Sequence, residues 1–287
     1  MKKLNSPLIM HINYFEQGQS LEYTVRRAVE LGFDGVEFRR RRTGVEESVC
    51  EYLDELKRCT DLYGLRYVLF GGPGINVMTQ DQDVIRREID DYKNFLTEAD
   101  KRFALSCINF MTGSIRCPDA AGYEYERHGS GYAEDWHWEN AAKACQEIAA
   151  FAPQVKFAFE THMNYLHDLA DSTRKLVDMI DRANFGINLD YGNSVYFAKG
   201  TYPALDKSIE ICGDKLFYTH MKNSVPGSPR RTPTALSQGE INHRIYVNKL
   251  CEIGFTGMIG IEAPRQGDRE YFAEEDLAYI RSVLQIH

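Results

Sequence analysis

The chain has 287 residues, 43% hydrophobic and 26% charged, and its 34 basic against 42 acidic residues give a net charge of −8. That composition excludes a disordered chain and supplies length for a large core, either as about two ordinary domains or as one α/β barrel of ~250 residues. An acidic balance offers no overall field for a phosphate backbone, so no nucleic-acid partner is expected.

The N-terminal residues lead into an apolar run of only about three, short of the ~7–15 of a secretory h-region or the ~20 of a membrane span. No membrane partner is expected, and the expected location is the cytoplasm. The seven cysteines include no C-x-x-C pair, which points to free thiols in a reducing compartment and not to a zinc or dithiol motif.

Along the chain, short apolar runs rich in β-branched and aromatic residues alternate with amphipathic stretches. Eight runs read as strands: Leu8–Asn13, Gly35–Arg39, Arg66–Phe70, Leu105–Phe110, Lys156–Glu160, Phe185–Asp190, Leu216–Lys222 and Met258–Glu262. They are continuous rather than alternating, as strands buried on both faces of a parallel sheet are.

Helical spacing follows in Leu21, Val25, Ala28 and Val29, in Val49, Leu53 and Leu56, in Leu176, Met179 and Ile180, and in Leu277, Ile280 and Leu284. Ser20 is placed as an N-cap, and Gly32, Gly64 and Gly254 as helix stops. Eight strand–helix units of about 36 residues each predict a single (β/α)8 TIM barrel spanning residues 1–287. An open doubly wound sheet would need a glycine-rich nucleotide loop after the first strand, and the turn there, Asn13 to Gly18, has none.

Two connections are oversized, at about 112–138 and 223–241, and both fall at the end of the barrel where active sites are built. The first carries Tyr123, Tyr125, His128, Tyr132, Trp136, His137 and Trp138. This aromatic group suits a ligand cover, with Trp138 as a substrate contact, or a packing surface against the barrel or another subunit.

Ionisable residues interrupt the later strands at their ends. Glu160, Asp190, His220 and Glu262 close four consecutive strands at intervals of 30, 30 and 42 residues. Brought to one barrel mouth, these groups repel unless a cation neutralises them. Three carboxylates and one imidazole suit Mn²⁺ or Mg²⁺, with Co²⁺ or Zn²⁺ as alternatives. His162 and Lys222 follow Glu160 and His220 by two residues and share their side of the strand. His162 reads as a base or a hydroxyl contact, and Lys222 as a holder of an enolate or carboxylate oxygen. His11 and Glu37 read as hydroxyl contacts, and Arg265 as a partner for an anionic group. The run Arg39–Arg42 is the one basic cluster, read as an anion contact or a subunit interface.

The segments Phe-Glu-Thr-His at Glu160, Asn-Leu-Asp at Asp190, Tyr-His-Met-Lys-Asn at His220 and Gly-Ile-Glu at Glu262, with the opening Glu30 to Glu37, resemble the xylose isomerase-like superfamily of sugar isomerases and epimerases. The resemblance runs over nearly the whole chain. It implies Glu160, Asp190, His220 and Glu262 as metal ligands, with Glu160 and Glu262 also moving protons at the reacting carbon. It implies a small sugar or glycoside substrate and an oligomer of this chain, with a second subunit type in some relatives.

Two features depart from the ketose 3-epimerases. Asn193 stands where they carry a histidine, and their arginine after the seventh strand is absent. The expected activity is a divalent-metal-dependent sugar isomerase or epimerase that removes a proton next to a carbonyl. Lyase chemistry on a keto-sugar by the same site, as in a dehydratase or a C-glycoside deglycosidase subunit, is the alternative. A non-catalytic sugar-binding barrel is the third reading.

Overall fold

The apolar runs pair in parallel in the order β1(Leu8–His11), β10(Met258–Ile261), β7(Leu216–Met221), β6(Phe185–Asp190), β5(Lys156–Glu160), β4(Cys107–Phe110), β3(Tyr67–Gly71) and β2(Gly35–Arg39). β2 returns to β1 and closes the barrel. The structure is a computed structural model that describes residues 4–42, 44–72, 74–197, 202–262 and 265–285. Met1–Lys3, Thr43, Pro73, 198–201, Ala263–Pro264 and Ile286–His287 lie outside those residues.

Outside the strands lie α1(Leu21–Leu31), α2(Val49–Tyr63), α3(Gln82–Asp100), α4(Asp135–Phe151), α5(Ala170–Ile180), α6(Tyr191–Val195), α7(Leu205–Cys212), α8(His243–Glu252) and α9(Arg269–Gln285). Ser20 caps α1 by accepting from the Tyr23 amide, and Gly32 and Gly64 end α1 and α2 in left-handed backbone, as the sequence predicts. Met179 departs from its predicted place: α5 turns it 37% open to solvent while Leu176, Val177 and Ile180 are buried. A short antiparallel ribbon, β8(Asn223–Val225) with β9(Thr232–Thr234), stands in the connection after β7. No helix among the described residues is long and apolar enough to cross a membrane.

The main core fills the space between strands and helices. A second, smaller cluster of Ile9, Leu69, Cys107, Ala158 and Tyr218 lies apart from it. Two residues further along the same strands come His11, Gly71, Asn109, Glu160 and His220. Strand alternation puts each on the face of its predecessor. The barrel therefore has an apolar plug and, above it at the strand ends, a polar layer. Two glycines make room for that layer. A Cβ on Gly71 would meet Glu37 Oε1 at 1.9 Å, and one on Gly260 would meet His220 Cδ2 and the Tyr218 hydroxyl at 2.5 Å.

A candidate metal centre at the barrel mouth

Glu160, Asp190, His220 and Glu262 each offer a ligand atom, and all four atoms lie within 4.8 Å of one another. All four residues are buried. The register explains part of this: Asp190 stands directly opposite His220, after an irregularity between Ile187 and Asn188 that resets the pairing of β6 with β7. His220 Nδ1 faces Glu160 Oε2 at 3.8 Å, Asp190 Oδ2 at 3.8 Å and Glu262 Oε2 at 4.0 Å. That nitrogen is buried with no hydrogen-bond partner among the described residues.

Two amides hold the carboxylates. Asn109 Nδ2 donates to Glu160 Oε2 at 2.7 Å and to Glu37 Oε1 at 3.0 Å. Asn193 Nδ2 donates to Glu160 Oε1 at 2.9 Å and to Asp190 Oδ2 at 3.0 Å, and the Asn193 backbone N–H donates to Asp190 Oδ1 at 2.9 Å. Lys222 Nζ lies 2.7 Å from Asp190 Oδ2 and pairs with Glu262 Oε1. His11 accepts the Asn13 amide on Nδ1, which puts its proton on Nε2, 3.4 Å from Glu262 Oε2.

The charges act on one another. Burial raises Asp190, and the neighbouring Glu262 and Glu160 charges raise it further against the pull of Lys222. Burial also opposes ionisation of Glu160 and Glu262, but His220 and His162 draw Glu160 below the usual carboxylate range, and Lys222, His11 and His220 draw Glu262 well below it. Burial works against a charged His220, yet Glu37, then Glu160 and Glu262, raise it to about 10. A site that pulls a buried imidazole this far holds surplus negative charge. Three carboxylates, an orphaned imidazole nitrogen and that surplus fit a divalent cation.

The other residues chosen from sequence fall in different places. His162, half-buried, shares Nδ1 with the Met163 carbonyl at 2.9 Å, and burial lowers its pKa. The Glu160 charge works against that burial.

Three placements correct the sequence reading. Glu37 is not an open hydroxyl contact: it is fully buried, with Oε2 2.8 Å from His220 Nε2 and Oε1 on Asn109. Arg265, read as a partner for an anionic group, is engaged by carboxylates of the chain itself: it pairs with Glu275 at 2.9 Å and Asp276 at 2.6 Å. Trp138 is not a loop residue. Helix α4 begins at Asp135, so helical periodicity turns the indole into the core, with Lys175 Nζ 3.8 Å from its ring centre.

The aromatic connection after β4 is stapled to itself and to the segment between β5 and α5. His128 accepts the Cys117 amide at 2.9 Å, and Asp168 accepts the Ser130 amide at 2.9 Å. Tyr125 packs with Met163 and Phe197, next to His162, whereas Tyr123 and Tyr132 are exposed. The basic run is dispersed: Arg39 pairs with Glu16, Arg42 with Glu47 and Glu55, and Arg40 lies over Tyr92 and Phe95.

Asn109 and Asn193 were not chosen from sequence as site residues. Asn109 carried a signal like that of the ligands, a polar side chain interrupting an apolar strand next to its end. A neutral amide, however, announces no charge to be balanced.

A parallel barrel with this cluster at its strand ends defines a protein with a candidate divalent-metal centre. The chain belongs to the xylose isomerase-like TIM barrel family, whose model matches residues 25–283. It is 28% identical over 221 residues to a 2-oxo-tetronate isomerase of Haemophilus influenzae, covering 75% of this chain and 79% of that protein. Its fold is similar to that of D-psicose 3-epimerase from Clostridium cellulolyticum, solved with D-tagatose: TM-score 0.76, 20% identity, 97% of this chain and 99% of that one. It is also similar to a xylose isomerase-like barrel from Mycobacterium smegmatis in complex with magnesium: TM-score 0.75, 17% identity, 98% and 97% covered.

Proposed function

We propose that this chain is a divalent-metal-dependent sugar isomerase or epimerase, with Mn²⁺ as the ion its donor set favours and Mg²⁺, Co²⁺ or Zn²⁺ as alternatives. The observation that carries the reading is the convergence of Glu160, Asp190, His220 and Glu262 within 4.8 Å in a buried barrel mouth. The named activity of the Haemophilus relative supports isomerase over lyase chemistry. Glu160, Asp190, His220 and Glu262 would hold the cation, which would supply Lewis-acid stabilisation of the negative charge that proton removal next to a carbonyl creates.

The chain's own residues supply the rest. Glu160 and Glu262 enter from strands on either side of β6 and β7, and in this reading one removes the proton and the other returns it. The Asn109 and Asn193 amides fix both oxygens of Glu160, so its carboxylate is set before substrate arrives. Lys222 holds the developing oxyanion, and the His11 Nε2–H and the His162 ring contact substrate hydroxyls. Return of the proton to the same carbon gives epimerisation, and to its neighbour isomerisation.

The test is a panel of ketoses and four- to six-carbon 2-oxo sugar acids, assayed by NMR after chelation and after Mn²⁺ addition. The reading expects conversion of at least one substrate that disappears with chelator and returns with metal. Equal conversion in both states overturns metal dependence, and no conversion of any member overturns the sugar substrate class.

A further inference from the structure

Glu37 and His220 belong to β2 and β7, which are not neighbours in the barrel, yet their side chains meet at 2.8 Å. The Glu37 carboxylate is fully buried and both of its oxygens are engaged. Oε2 takes the His220 Nε2–H, and Oε1 takes the Asn109 amide at 3.0 Å. The same amide nitrogen reaches Glu160 Oε2 at 2.7 Å. One carboxylate beneath the candidate centre is therefore bonded to one proposed ligand directly and to a second through one side chain.

We propose that Glu37 is a positioning residue for the metal centre. With the ion in place of the ring's second proton, Glu37 keeps the remaining proton on His220 Nε2 and leaves Nδ1 to the ion, and through Asn109 it sets the rotation of the Glu160 carboxylate. The inference rests on the metal reading above and assigns Glu37 no contact with substrate.

The geometry supports this over simple core filling in two ways. Nδ1 of His220 is the ring atom left without a partner, and it faces the three carboxylates at 3.8–4.0 Å. An imidazole bonded at Nε2 to a carboxylate has its donor lone pair at the opposite nitrogen, as metal-bound histidines do. The space for the arrangement is also tightly limited. Gly71 stands where any Cβ would come within 1.9 Å of Glu37 Oε1 and 2.8 Å of its carboxyl carbon.

Glu37→Gln keeps the shape but not the bonding. If its amide oxygen accepts from His220, its NH₂ faces the Asn109 NH₂, donor against donor. Turning Asn109 over relieves that clash but removes the donor from Glu160. Either way one proposed ligand loses its orientation.

The test titrates Mn²⁺ into the metal-stripped chain and follows free Mn²⁺ by electron paramagnetic resonance, with thermal unfolding in chelator as the measure of folding. Glu37→Gln is expected to weaken Mn²⁺ binding roughly 10–100-fold, the usual cost of losing an outer partner of a ligand, while the chelated protein unfolds cooperatively. Gly71→Ala, which displaces the Glu37 carboxylate without removing it, is expected to weaken binding in the same direction. Should Glu37→Gln fail to fold, Gly71→Ala carries the test alone. Wild-type protein that binds Mn²⁺, with folded variants binding within twofold of it, overturns the positioning role and leaves the metal reading standing. Wild-type protein that binds no divalent cation overturns both.

Discussion

Asn193 donates its side-chain amide to Glu160 Oε1 at 2.9 Å and so ties the first turn of α6 to the end of β5. The same nitrogen reaches Asp190 Oδ2 at 3.0 Å. One amide thus aligns two carboxylates. Asn193→Ala leaves buried carboxylate oxygens short of a donor, which costs about 1–3 kcal/mol of stability. Denaturant unfolding of the metal-free protein should show that loss, and calorimetric titration should show weakened Mn²⁺ binding. Wild-type values in both would contradict the alignment.

Glu160→Gln and Glu262→Gln retain size and one oxygen but lose basicity. Turnover at saturating metal should fall by ~10²-fold or more at each, with metal binding weakened less. Asp190→Asn and His220→Ala should act mainly through occupancy, so excess Mn²⁺ should restore part of their activity. Near-full activity in either Gln variant with metal bound would move the base to His162.

Asp276 in α9 fastens three connections. It accepts the Tyr14 hydroxyl at 2.8 Å, the Leu236 amide at 2.9 Å and the Arg265 guanidinium at 2.6 Å. Removing one member of a buried ion pair costs about 3–5 kcal/mol. Asp276→Ala and Arg265→Ala should each lower the urea midpoint substantially. The double variant should lose less than the two single losses combined, because the residues are coupled. Additive losses would show that the pair is not the fastening.

His243 is fully buried against the Leu236 carbonyl at 3.1 Å, and burial lowers it to about 4 from an ordinary value of 6.5. The unfolded chain therefore binds a proton that the folded chain refuses between those values. Stability from this residue is present above about pH 6.5 and is lost as pH falls toward 4, by about 1.4 kcal/mol per unit inside the window. Denaturant unfolding at pH 7 and pH 4.5 should show that His243→Phe loses less stability on acidification than wild type. An identical loss in both would mean that His243 is not a titrating group.

Much of this was legible in the sequence because strands buried on both faces write themselves as continuous apolar runs. Seven of the eight runs contain their observed barrel strand outright, and the third, read as Arg66–Phe70, overlaps Tyr67–Gly71 with a one-residue shift. Glu160, Asp190, His220 and Glu262 were visible because a charge ending an apolar run has few structural uses.

What stayed hidden needs cross-barrel information. Nothing in the residues around Glu37 says that it meets His220, 183 positions away. Trp138 misled because the start of α4 at Asp135 is capped by Glu134 and His137, a pairing without the usual Ser or Asp signature. Arg265 misled because its partner Asp276 lies 11 residues on, in a helix whose inner face was read from its apolar positions alone.

The most direct measurement of the central claim is solvent hydrogen exchange. Metal-replete protein is incubated in D₂O with a panel of ketoses, 2-oxo sugar acids and 3-keto glycosides, and deuterium is located by NMR. Proton removal next to a carbonyl predicts deuterium at the carbon beside that carbonyl in at least one substrate, abolished by chelation and strongly reduced in Glu160→Gln and Glu262→Gln. Absence of deuterium from every member of the panel, with Mn²⁺ bound, would contradict the account.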